Sequence, residues 1–167
     1  MAKHPQFEII ALHPQHILTM KPRAMERTVF DGVGDLEAFA QRLAAPGMAY
    51  AALDGDEVVG CAGIMPMHPG VGEAWSLLSE RLQPGKPDRA WAAVRRAMRR
   101  GIDAAFDVGY HRIQATISVK FPSADAWMRG LGLTPDGGSD GGGAHLMAQY
   151  GTDRSDHWMY SRTRDKE

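Results

Sequence analysis

Between Pro87 and Val119 the chain changes its hydrophobic period, and that change constrains the fold more than any other feature. Trp91, Val94, Met98, Ile102, Ala105 and Phe106 recur at intervals of three and four, or their sums. This lays one apolar stripe along a helix predicted from about Pro87 to Asp107, with Gly109 as its C-terminal cap. From Ile113 the period drops to two. Ile113, Ala115, Ile117 and Val119 alternate with Arg112, Gln114, Thr116 and Ser118, the pattern of a strand.

The flanking segments extend this order. Phe7 to Leu12 reads as a first strand. Pro14 to Phe30 is a helical region that Pro22 must interrupt. Asp35 is placed to cap a helix carrying Leu36, Phe39, Ala40 and Leu43, which Pro46-Gly47 stops. Met48 to Leu53 and Val58 to Met65 read as a hairpin around Asp54-Gly55, and Glu73 to Glu80 as the next strand. A short helix from Pro122-Ser123 to Gly130 or Gly132 comes after the alternating strand, then two weaker strands near His145 to Tyr150 and His157 to Arg162. Hairpins plus one strand–helix–strand crossover give an α/β (α+β) protein, with a mixed sheet and helices on its faces.

Size and charge set the functional bounds. The 167 residues suffice for one domain, read here as residues 1–161 with a charged, frayed tail at 162–167. Basic and acidic side chains number 19 and 20, which argues against a general nucleic-acid binder. The single cysteine, Cys61, excludes an internal disulfide framework and any multi-cysteine zinc site, and it reads as a buried structural thiol. No apolar run approaches the roughly 20 residues needed to cross a bilayer, so a cytoplasmic protein is expected. His13 and His16 have no companions at metal-ligand spacing, and no metal is expected. Arg95, Arg96, Arg99 and Arg100 read as a solvated helix face, and the glycine-rich run from Gly137 to Gly143 as a lid or connector.

With this order in place, three segments resemble the GNAT superfamily of N-acetyltransferases. Asp56-Glu57-Val58-Val59-Gly60-Cys61-Ala62-Gly63-Ile64 is similar to the family's central hairpin. Glu73-Ala74-Trp75-Ser76-Leu77-Leu78 is similar to the strand that carries the reacting thioester. Ala124-Asp125-Ala126-Trp127-Met128-Arg129-Gly130-Leu131-Gly132-Leu133 is similar to the late helix and its closing turn, and Trp158-Met159-Tyr160-Ser161-Arg162 fits the last strand. More loosely, the Gly72-Glu73-Ala74-Trp75 segment and the compact size resemble short acetyltransferase-like proteins of phages and prophages. The family's phosphate loop usually reads Q/R-x-x-G-x-G/A, whereas the stretch from Ser79 to Arg89 has one glycine, Gly85. Phe121 and Met128 stand where the family often has asparagine and tyrosine.

The resemblance implies a mostly antiparallel central sheet flanked by helices, and acetyl-CoA as co-substrate. It implies cofactor contacts from Trp75, Ser76, Leu77, Leu78 and Ser79, and from Arg81, Gly85, Lys86, Arg89 and Ser123 around the starts of the two helices. Arg81, Gly85, Lys86 and Arg89 would gather cations and N–H donors where the long helix begins, which suits phosphate. Glu73 is the favoured base, since an alkyl ammonium must lose a proton before it can attack. Backbone N–H groups near Leu77 and Leu78 are candidates for the oxyanion. Tyr160 is carried as a catalytic candidate, with Tyr110 and Ser123 as other substitute proton donors. The acceptor implied is a small-molecule or peptide amine, and the chain a monomer or homodimer. The alternatives are a catalytically silent GNAT-fold binding or phage assembly component, and a binder of longer acyl chains suggested by Ile64-Met65-Pro66-Met67.

Overall fold

The computed structural model describes residues 7–82, 89–121, 123–136, 145–148 and 155–164. The chain runs β1 (Phe7–Ala11), α1 (Pro14–Thr19), α2 (Ala24–Gly32), α3 (Leu36–Ala44), β2 (Ala49–Asp54), β3 (Glu57–His68) and β4 (Val71–Leu78). It continues α4 (Arg89–Asp107), β5 (Arg112–Ser118), α5 (Ala124–Gly130), β6 (Thr134–Pro135), β7 (His145–Met147) and β8 (His157–Thr163). The sheet order is β1-β2-β3-β4-β5-β8-β6, with β7 also on β8. Every pairing is antiparallel except β4 with β5. No helix among the described residues is long and apolar enough to cross a membrane.

Local chemistry explains the first helices. His13 accepts from the Gln15 N–H, and the His16 ring accepts from the His13 N–H, so the two histidines cap α1 reciprocally. Pro22 ends the helical run and bridges to Ser79. Asp35 accepts from the Ala38 N–H at 3.0 Å and starts α3.

The sheet separates two apolar layers. On one face Val94, Ile102, Ala105 and Phe106 of α4 pack with Trp127 and Met128 of α5. On the other, Ile17, Ala40 and Leu43 of α1 and α3 pack on Ala51, Val58, Cys61 and Leu77. Val58 and Cys61 share a face despite their odd spacing. A register shift places Leu53 opposite Val58 but Ala52 opposite Gly60, so β3 bulges by one residue and its alternation inverts.

Several boundaries differ from the sequence reading. β3 runs past Met65 and through Pro66 to His68, with a second register shift beside the proline. β4 starts at Val71 and ends at Leu78, because Ser79 turns aside to meet Pro22. β6 has two residues, too few to show any period. Arg162 and Thr163, expected in a frayed tail, are the last residues of β8, where Arg162 pairs with Asp103 at 2.6 Å and covers the Phe106 ring. Arg96 and Arg100 are exposed, and so are Arg95 and Arg99, as expected of a solvated helix face. The Arg95 and Arg99 side chains lie against Gly130 and Gly132, where cations suit the C-terminal end of α5. The glycine run 137–143 and residues 165–167 lie outside the described residues.

The turn between β3 and β4 is tied to the start of β5. Gly70 has φ +76°, and its carbonyl accepts from both His111 (2.8 Å) and Arg112 (3.2 Å). A Cβ at Gly70 would collide with the His111 ring. This turn pins the beginnings of β4 and β5 side by side.

Candidate active site

From that pinned end the two strands share three rungs: Val71 with Arg112, Gly72 with Ile113, and Glu73 with Gln114. Both strands then continue, but apart. β4 stays paired with β3 through Leu78, and β5 stays paired with β8 through Ser118. The sheet therefore opens as a V, and the gap forms an open-mouthed cleft of about 420 Å³. Glu73, Trp75, Ser76, Leu77 and Leu78 line one wall, Ala115 to Ser118 the other, and Phe121, Trp127 and Met128 cover it from α5 and the turn before it. Glu73, Ala74, Trp75 and Ser76 are all half-buried, as a strand must be that has lost one neighbour.

The backbone facing the gap is dictated by the pairing. Ser79 donates its N–H to Val59 of β3 at 3.0 Å, while the Leu78 carbonyl accepts from the Arg23 N–H at 3.1 Å on the opposite side. Backbone groups alternate along a strand, so Ala74, Ser76 and Leu78 turn theirs toward the gap and Leu77 turns its own toward β3. Of the two expected oxyanion donors, Leu78 turns its N–H toward the gap and Leu77 does not. Ser76 joins it. The Trp75 indole Nε1 is buried without a hydrogen-bond partner.

The other expected site residues scatter. Ser79 is fully buried. Arg81 is bound to Asp54 and to Glu57 (3.2 Å) across the β2–β3 hairpin, so its charge is committed away from the cleft. Arg89 opens α4 and is exposed. Gly85 and Lys86 lie outside the described residues. Ser123 precedes α5, and its side chain makes no capping bond. Tyr160 is buried beneath α5, where its hydroxyl donates to Asp125 at 3.1 Å, and it is not part of the cleft wall. Burial, then the Asp125 carboxylate, raise its pKa above the usual phenol value. Phe121 and Met128 are buried and apolar, and offer no acidic proton where the family often has asparagine and tyrosine.

The residues not anticipated are Arg23 and Glu26. Arg23 precedes α2 and donates through Nε to both Glu26 carboxylate oxygens, at 3.0 and 3.2 Å, with Nη2 also bound. The pair is almost wholly buried in the cleft wall. The guanidinium lies 5.5 Å from the Phe121 ring centre and 5.9 Å from that of Trp91, which itself packs on Trp127 at 4.7 Å. The i, i+3 spacing was visible in the sequence, but nothing local distinguishes a buried pair from a surface one. Among the described residues no three His, Cys, Asp or Glu side chains gather to hold a metal.

Comparison with solved structures accounts for this arrangement. A GNAT-family acetyltransferase from Bacillus anthracis superposes with a TM-score of 0.62 at 14% identity, covering 96% of each chain. The chain has the GNAT acetyltransferase fold. A ribosomal-protein-alanine N-acetyltransferase from Brucella melitensis matches at TM-score 0.65 and 18% identity, over 94% of this chain and 99% of that one. YncA from Salmonella typhimurium, assigned as an acetyltransferase and solved with its cofactor acetyl-CoA, matches at TM-score 0.66 and 15% identity, over 96% and 95%. No protein-family model and no curated protein matches the sequence. The finer likeness to phage and prophage proteins finds no support among these structures.

Proposed function

We propose that the protein binds acetyl-CoA in the cleft between β4 and β5 and passes the acetyl group to an amine by direct attack. The observation that carries this reading is the V-shaped opening itself. Two strands pinned by three rungs diverge into a slot that carries a carboxylate, Glu73, at its apex and unshared backbone N–H groups along one edge. A thioester-bearing arm lying along β4 would meet both. The matched YncA structure, with acetyl-CoA, supports the choice of donor.

Those groups define the chemistry. An alkyl ammonium has a pKa near 10.4, so well under ~1% of it is nucleophilic at pH 7. Glu73 takes its proton, directly or through a water. The amine nitrogen attacks the thioester carbon, and the carbonyl oxygen becomes an oxyanion facing the gap-side N–H of Ser76. The C–S bond then breaks. A thiol pKa near ~8.5 lets the thiolate leave without a dedicated acid, which matches the apolar Phe121 and Met128. The phosphates of the donor would lie toward Arg89, at the start of α4. The acceptor class is a small-molecule or peptide amine.

A second reading keeps the ligand but not the turnover. It draws on the same Phe121 and Met128, whose burial leaves the leaving group unassisted. Calorimetric titration with acetyl-CoA, with CoA as control, tests the first step. A micromolar Kd, about −8.2 kcal/mol, is expected. Absence of heat at several temperatures overturns both readings. Binding without acetylation in an amine screen selects the second.

A further inference from the structure

We propose that Arg23 is the anion-binding residue of the cleft, and that the unused edge of its guanidinium takes the phosphate-bearing end of the acyl donor. This role presupposes that acetyl-CoA is the donor. Its starting point is an unmet hydrogen-bond donor. One edge of Arg23, Nε and Nη2, is spent on Glu26. Nη1 is buried and has no hydrogen-bond partner. The Trp91 and Phe121 rings hold the guanidinium by its face, but its in-plane N–H groups still require an acceptor. Leaving a charged donor unmet inside a protein is costly, and an oxyanion is the acceptor that suits it best. Glu26 balances the charge while no ligand is present, so the site can stay folded without one.

Position selects the phosphate end of the donor. The Arg23 N–H is bound to the Leu78 carbonyl, and Pro22 bridges Ser79, so Arg23 is fixed at the open end of β4. Leu78 is five residues beyond Glu73, about 16 Å along a strand. A donor with its thioester beside Glu73 and its arm along β4 brings its anionic end to this guanidinium. Two features of the chain increase the need for it. Arg81 is bound to Asp54 and Glu57, and the segment before α4 has a single glycine, Gly85, with which to wrap a phosphate.

The test compares acetyl-CoA with acetyl-pantetheine, which keeps the thioester arm and lacks the phosphates. Arg23→Gln should weaken acetyl-CoA by about tenfold or more and leave acetyl-pantetheine unchanged. Arg23→Lys should recover part of the loss. Glu26→Gln breaks the same buried pair but keeps the cation, so it should hold or tighten acetyl-CoA. Equal loss of both ligands in Arg23→Gln, or wild-type affinity for acetyl-CoA, overturns the proposal while the acetyl-CoA reading stands. If Arg23→Gln fails to fold by melting, Glu26→Gln decides: weaker binding of both ligands overturns the proposal. A wild-type protein that binds neither ligand overturns the functional reading itself.

Discussion

Glu73 stands opposite Gln114 on the last rung that β4 and β5 share. One residue further the strands part, so the carboxylate marks the apex of the opening. The Gly70 turn, which accepts from His111 and Arg112, fixes where that apex falls. The position of the proposed base along the sheet is therefore set by backbone pairing. A substitution at Glu73 can remove the carboxylate and leave the rungs intact.

Glu73→Gln is accordingly expected to lower kcat for amine acetylation by about 10²–10⁴ while leaving the Kd for acetyl-CoA unchanged. The two quantities come from steady-state kinetics and calorimetry on the same preparation. Full activity in this variant would move the base elsewhere. Loss of acetyl-CoA binding would make Glu73 a structural residue of the split.

Cys61 offers a check on the chemical route. It is 1% exposed in the β2–β3 layer, and burial pushes its thiol up to about 12. A thiol so rarely ionised is a poor nucleophile, which argues against an acetyl-cysteine intermediate on Cys61. The native protein should therefore resist an aromatic disulfide reagent at pH 8, and take up one equivalent once unfolded in denaturant. Rapid labelling of the native protein, with loss of acetyl transfer, would return Cys61 to the mechanism.

What the sequence revealed and what it hid divide along a physical line. The period of Ile113 to Ile117, the Asp35 cap and the Asp54-Gly55 turn are local signals, and each element they predict is present. The strand predicted from Glu73 to Glu80, entered through the turn at Gly70, is present as Val71–Leu78. The bridge from Pro22 to Ser79, the bond from Arg23 to Leu78 and the burial of Arg23 with Glu26 join segments more than 50 residues apart or depend on them. No local pattern encodes such contacts. Arg81 illustrates the same limit. Its sequence neighbours suggest a phosphate loop, but the hairpin brings Asp54 and Glu57 to it first.

Tyr160 was legible as a strand residue but not as to which side of the sheet its hydroxyl serves. It is buried under α5, and its hydroxyl donates to Asp125, whose own pKa is lowered chiefly by the hydrogen bond from Arg129. Tyr160→Phe should lower Tm by about 2–4 °C, the scale of one ordinary hydrogen bond in a chain of this size, and leave acetyl transfer intact. The pH dependence has a definite sign. Burial and Asp125 raise the Tyr160 pKa in the folded state, so the folded protein holds this proton more tightly than the unfolded chain does. The resulting stability is complete below the unfolded phenol value near ~10 and is lost as pH rises through the folded pKa. Urea unfolding at pH 8 and at pH values above that of a free phenol should therefore show a steeper loss in the wild type than in Tyr160→Phe. Unchanged stability together with abolished transfer would place the hydroxyl in the reaction instead.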